Sequence, residues 1–317
     1  MTKPAIIALL AGGLSGLLHL ALLAGSAGGV ILAWLSPLPL FAAGLWLGWQ
    51  AAALAGLVAT LLIGLGFGPL AGLWFGLIQW LPVAGLTRLA LLAREESGTA
   101  EWYPLGRLYA WLAGYVGLGL VGMALYFSGS EGGLEGQLTA VIERATRQVL
   151  AMMPGSAEQA PRAAAMAAWV PLGFALSWSA MQALNAFLAQ GLLARFGRAV
   201  RPAWGFSDFA LPRWMAPALG AAALLMLLEG TVGLVGRTLA GYLIVGYALA
   251  GLAALHALSH RLGDRRKFAL IALYVLLAVV GMPIALAVAL FGLLEQWFGW
   301  RARMASGPPA LPPGAGG

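Results

Sequence analysis

The run 268-FALIALYVLLAVVGMPIALAVALFGLLEQW-297 carries one charged side chain, Glu295, and its length and greasiness decide the fold. A bilayer span needs about 20 consecutive apolar residues. Further apolar segments lie upstream, near Ala5–Ala24, Ala27–Trp49, Ala51–Phe67, Pro69–Leu92, Leu108–Phe127, Ala163–Gln190, Trp214–Leu228 and Thr238–Ser259. The chain is 61% hydrophobic, only 9% charged, and has a mean hydropathy of +0.88. Soluble domains carry roughly 25% charged residues. Backbone groups in lipid must bond within their own segment, so the segments are helices. The reading is an all-α, polytopic transmembrane helical bundle of about 8–10 membrane helices.

The net charge is +7. The bases sit in short loops between apolar runs, a pattern of membrane orientation rather than of nucleic-acid binding. The loops Arg195–Arg213 and Arg261–Lys267, and the one around Arg88, Arg94 and Arg107, are separated by two helices each, so one side can hold all three. With Lys3, that side is expected to be cytoplasmic, in the bacterial inner membrane. The run Ala5–Leu23 exceeds the roughly 7–15 apolar residues of a secretory signal and is read as the first span. The chain has no cysteine, which excludes disulfides, thiolate chemistry and Cys-ligated metals.

This organisation puts membrane helices at 1–127, an extracytoplasmic amphipathic segment at 128–162, membrane helices at 163–303 and a disordered cytoplasmic tail at 304–317. In the outer segment, Leu134, Leu138, Val141, Ile142, Ala145, Val149 and Met152 recur at helical spacing. Met153-Pro154-Gly155 should end that helix, and Pro161 suits the first turn of the next. Near the C-terminus, Gly281-Met282-Pro283 should split the last run into two arms and return the chain to the inside. The alternative break is Ser36-Pro37-Leu38-Pro39, in the second run.

Polar residues inside apolar runs are the candidates for function. Ser179, Gln182, Asn185 and Gln190 share one helical arc, which either glues helices or lines a cavity. Gln79, Gln50 and His19 are isolated cases of the same ambiguity. Glu229 and Arg237 bracket an outer turn, where they either pair, hold a polar ligand or are solvated. Trp297, Phe298 and Trp300 read as an interfacial belt, and Arg301 and Arg303 as anchors. Glu295 is either solvated at the interface or turned inward toward a base on a neighbouring helix. His256 and His260 have metal-pair spacing but no third ligand, so no metal or cofactor is expected. No G-x-x-x-x-G-K-[ST], G-x-S-x-G or H-E-x-x-H occurs, and the chain is not expected to be an enzyme.

Gly292-Leu293-Leu294-Glu295-Gln296-Trp297-Phe298 followed by Arg301 resembles the C-terminal motif of the YybS-like family of predicted bacterial membrane proteins, whose function is unknown. Ser36-Pro37-Leu38-Pro39-Leu40, and the stretch from Tyr247 through Gly251 to His256, add to the resemblance. Gly299 stands where that family often has Asp. The family is distantly similar to the substrate-binding subunits of energy-coupling-factor transporters, bundles that bind a small molecule near their outer face. The resemblance therefore implies a binding or transport subunit working with a transmembrane coupling subunit and separate ATPases. It also suggests a docking role for Ala8, Gly12 and Gly16, since such small-residue ridges let a partner helix approach closely. A non-catalytic scaffold that organises partners is the alternative.

Overall fold

The computed structural model describes residues 2–96, 98–151 and 168–305. The chain begins with α1 (Lys3–Leu20), whose first turn carries Pro4, where a missing N–H costs nothing. A 3₁₀ turn (Ala21–Ala24) and Gly25, with φ +61°, reverse the chain. The second apolar run is broken, into α2 (Ala27–Trp34) and α3 (Pro37–Leu47). Next come α4 (Trp49–Phe67), α5 (Pro69–Phe75), a π-helical turn (Gly76–Trp80) and α6 (Leu81–Ala90). A short antiparallel hairpin, β1 (Ala93–Glu96) and β2 (Thr99–Trp102), follows, with Arg94 opposite Glu101.

The second half contains α7 (Leu105–Tyr126), α8 (Gly133–Ala151), α9 (Val170–Arg195), α10 (Met215–Leu225) and α11 (Gly230–Ser259). It closes with α12 (Arg266–Val280), α13 (Met282–Phe298) and α14 (Trp300–Ala305). Seven stretches are long and apolar enough to cross a membrane among the described residues. One of them, Gly230–Val280, divides into α11 and α12 at the non-helical Gly263. With the shorter α10 and α13 added, the set reaches ten helices. The expected break at Gly281 separates α12 from α13, and the alternative break is present as well, with Leu35-Ser36 separating α2 from α3, although Ala27–Leu47 stays long and apolar enough to cross. Residues 152–167 and 306–317 lie outside the described residues. So do the expected Met153-Pro154-Gly155 stop, the role of Pro161 and nearly all of the expected tail.

Two cores hold the bundle. One gathers α1, α3, α4, α5, α6, the start of α7, and α9 around Leu40, Phe41 and Phe75. The other gathers α7, α10, α11 and α13 around Tyr242, Tyr247 and Met215. Without a hydrophobic drive between helices in lipid, close packing through small residues carries the association. Ala8, Gly12, Ser15 and Gly16 form the buried face of α1, and α4 answers with Ala51, Ala52, Ala55 and Ala59. A Cβ at Gly12 would overlap the Ala55 carbonyl. Leu10, Leu14 and Leu17 point the other way and stay exposed, as lipid-facing residues should. The ridge offered by the sequence for a partner is thus occupied by the chain's own α4. Gly251 and Gly292 make the matching close crossing of α11 and α13. α12 contributes no buried residue and lies at the periphery.

Gly13 neighbours Gly12 but faces open space. Gly12→Ala should lower the melting temperature of the detergent-solubilised protein, at a cost of about 1–3 kcal/mol. Gly13→Ala should leave it unchanged or slightly raised. Equal melting temperatures for the two variants would contradict this packing.

Candidate functional site

The π turn in the middle of the fourth span has a cause in the sequence. The Leu81 N–H bonds back five residues, to the Gly76 carbonyl. In that register Leu77 would need the N–H of residue 82, and in the α register so would Ile78. Residue 82 is proline and has none. An unpaired carbonyl in hydrocarbon costs several kcal/mol, so side chains fill the gap. The Tyr115 hydroxyl donates to Leu77 O. Trp178 Nε1 donates to Ile78 O at 2.9 Å, and Gln182 Nε2 donates to the same oxygen at 3.2 Å. Gln182 Nε2 also reaches Gln79 Oε1 at 3.1 Å.

The broken second span is treated alike. Asn185 Nδ2 donates to Trp34 O at 2.8 Å and to Met181 O at 2.8 Å. Ser15 Oγ, from α1, donates to Ser36 O at 2.7 Å. Ser179 Oγ pairs with the Tyr242 hydroxyl at 2.7 Å, and the Tyr109 hydroxyl donates to Tyr242 O at 2.6 Å. Gln190 Nε2 donates to Arg201 O at 2.7 Å. The polar stripe of α9 is therefore buried and spent on neighbouring elements. Gln182 Oε1 and Asn185 Oδ1 alone on these two amides lack a partner among the described residues.

Gln79 connects this network to a cleft of about 290 Å³ at the end of the bundle near Gly25 and Gly68. The end of α1, the 3₁₀ turn, the end of α4 and α5 enclose it. Its walls are apolar, with Leu22, Ile63, Phe67 and Trp74 among them. Two polar groups reach it: Gln79, which is buried, and His19, whose Nδ1 has no partner. The His19 ring sits edge-on to Phe75 at 4.9 Å. An apolar hollow with few convergent polar groups is the usual form of a small-molecule site.

The other expected residues lie elsewhere. Glu295 turns inward, but toward its own chain end. Its carboxylate accepts from Trp300 N at 2.8 Å and from Arg301 Nε at 3.0 Å. Gly299, left-handed at φ +56°, makes the fold-back that permits this. Arg301 Nη1 then donates to Ser207 O at 2.9 Å and to Phe209 O at 3.2 Å. Arg237 pairs at 3.5 Å with Glu135 of α8, while Glu229 is exposed at the entry to α11. His256 bonds its own helix carbonyl, Leu252 O, at 2.9 Å. No cluster of three metal-ligating side chains occurs among the described residues. Glu135 and the His19–Gln79 pairing escaped sequence reading, because neither lies in a local motif. The signal for the first was an acid in the first turn of α8, a turn before its other charged side chains. The second left no local signal, because His19 and Gln79 meet only through the packing of α1 against the fourth span.

Fold and contacts together define a multi-pass helical membrane protein. The chain belongs to a family described as predicted membrane protein (DUF2232), whose model matches residues 14–295. No curated protein and no solved structure matches the chain.

The Glu295–Arg301 pair is nearly dry, with side chains 7% and 19% exposed. Glu295→Ala and Arg301→Ala should each destabilise the detergent-solubilised protein by roughly 3 kcal/mol, because each strands the other charge. The double variant should lose little more than either single one. Fully additive losses in thermal unfolding would contradict the pairing.

Proposed function

We infer that the protein is a small-molecule binding and transport subunit of the energy-coupling-factor type, working through a transmembrane coupling subunit with separate ATPases. The observation that carries this reading is the apolar cleft holding His19 and Gln79. Its chemistry suits a ligand with an apolar body and one hydrogen-bonding head. The chain has no phosphate-binding loop, so on this reading ATP is hydrolysed by partners. Among the described residues, all the bases except Arg144, Arg147 and Arg237 lie on the side of Lys3, at the end of α1 away from the cleft, in helix ends or loops. By the positive-inside rule that end is cytoplasmic, with both termini, in a bacterial inner membrane. The cleft then faces outward. The reading assigns the chain no reaction of its own.

A non-catalytic scaffold is the second reading, and α8 favours it. That helix is tethered at its start by Leu134 N donating to Thr231 Oγ1 at 3.1 Å, and by the Glu135–Arg237 pair. Its exposed Glu143 and Arg147 face away, as a contact surface would.

Purification from native membranes in mild detergent tests the two. Mass spectrometry should find a small organic molecule released on denaturation, together with co-purifying ATPases. A His19→Leu/Gln79→Leu variant should retain on the order of tenfold less of that molecule. A folded wild-type protein with no bound compound and no ATPase, across growth conditions, would overturn the transport reading and leave the scaffold.

A further inference from the structure

Arg201, in the loop between α9 and α10, is 7% exposed, yet it has no acidic partner among the described residues. Nη1 donates to Ala90 O at 2.8 Å, at the end of α6. The guanidinium lies 4.8 Å from the Trp204 ring and 5.6 Å from the Trp102 ring. Its Nε is buried without a partner, and so is Trp204 Nε1. Burial pushes its pKa down to about 10, so the group stays charged at neutral pH. A buried charge without a counter-charge is costly.

Two more arginines lie over tryptophans on adjoining segments. Arg198 lies over Trp46 at 4.3 Å, and Arg88 over Trp49 at 5.5 Å. Trp46 and Trp49 flank the Gly48 turn that joins α3 to α4, and Arg88 is one turn or less from Ala90. The adjacent hairpin carries Glu95 and Glu101, and Glu101 stands opposite Arg94 in the strand register. Beside this patch, Phe187 packs edge-on against Trp204 at 5.1 Å. Phe187, Leu184, Leu188 and Leu192 of α9 leave it as an exposed apolar strip. Guanidiniums at the head of a greasy strip, with tryptophans between them, match a headgroup above its acyl chains.

The geometry points to a binding site for an anionic phospholipid, with the headgroup phosphate held by Arg88, Arg198 and Arg201 and the acyl chains laid along α9. Arginine forks suit phosphate oxygens, and the phosphate supplies the charge that the protein withholds from Arg201.

Native mass spectrometry of the full chain, released from nanodiscs of phosphatidylcholine with phosphatidylglycerol, tests it. The wild type should retain phosphatidylglycerol preferentially, and added inorganic phosphate should not displace it. Each arginine-to-glutamine change should cut retention roughly fivefold. Arg88→Gln/Arg198→Gln, at two exposed side chains, provides the test if Arg201→Gln fails to fold. Equal retention by the double variant and the wild type would overturn the proposal. So would full displacement by inorganic phosphate, which would mark a site for the free anion.

Discussion

Proline 82 has no N–H to give, and in hydrocarbon no water replaces it. Much of the N-terminal core is arranged around that deficit. Residue 82 can serve neither Leu77 O in the π register nor Ile78 O in the α register, and α7 and α9 supply Tyr115, Trp178 and Gln182 as donors to these carbonyls. The break at Leu35-Ser36 sets the same problem a second time, and Asn185 and Ser15 answer it. These contacts are directional, unlike the greasy packing around them. They tie α9 to the fourth span, where Gln182 also holds Gln79, a lining residue of the cleft.

The C-terminal half is held by different means. Gly251 and Gly292 let α11 and α13 touch backbone to backbone. Glu295 then finishes α13 by folding onto α14, and Arg301 carries the link on to Ser207 and Phe209. This accounts for the acid in the greasiest run of the chain. It is a tether between a helix end and a loop, not a group in the cleft. Gln296 adds to it by donating to Leu211 O at 3.0 Å.

The sequence made the all-helical membrane architecture legible, because hydropathy over about 20 residues is a local property. Both helix breaks were legible too, since proline and glycine act locally. The candidate site was not. Ser179, Gln182 and Asn185 read as a stripe that either glues or lines a cavity, and only tertiary contacts reveal how their donors are spent. His19 and Gln79 looked isolated because they are sixty residues apart in sequence and meet through the cleft. Arg237 found Glu135 rather than Glu229 for the same reason: which helix lies alongside is a long-range fact. The ridge of Ala8, Gly12 and Gly16 correctly marked a close helix contact, but its spacing cannot say whether the partner lies in the same chain.

The central claim is that Gln182 matters because Pro82 withholds an N–H. A double-mutant cycle on thermal unfolding tests it most directly. Gln182→Leu should destabilise the wild-type background clearly. It should cost distinctly less in a Pro82→Ala background, where the fourth span can return to the α register and the residue-82 N–H then serves the Ile78 carbonyl. Equal costs in the two backgrounds would contradict the account.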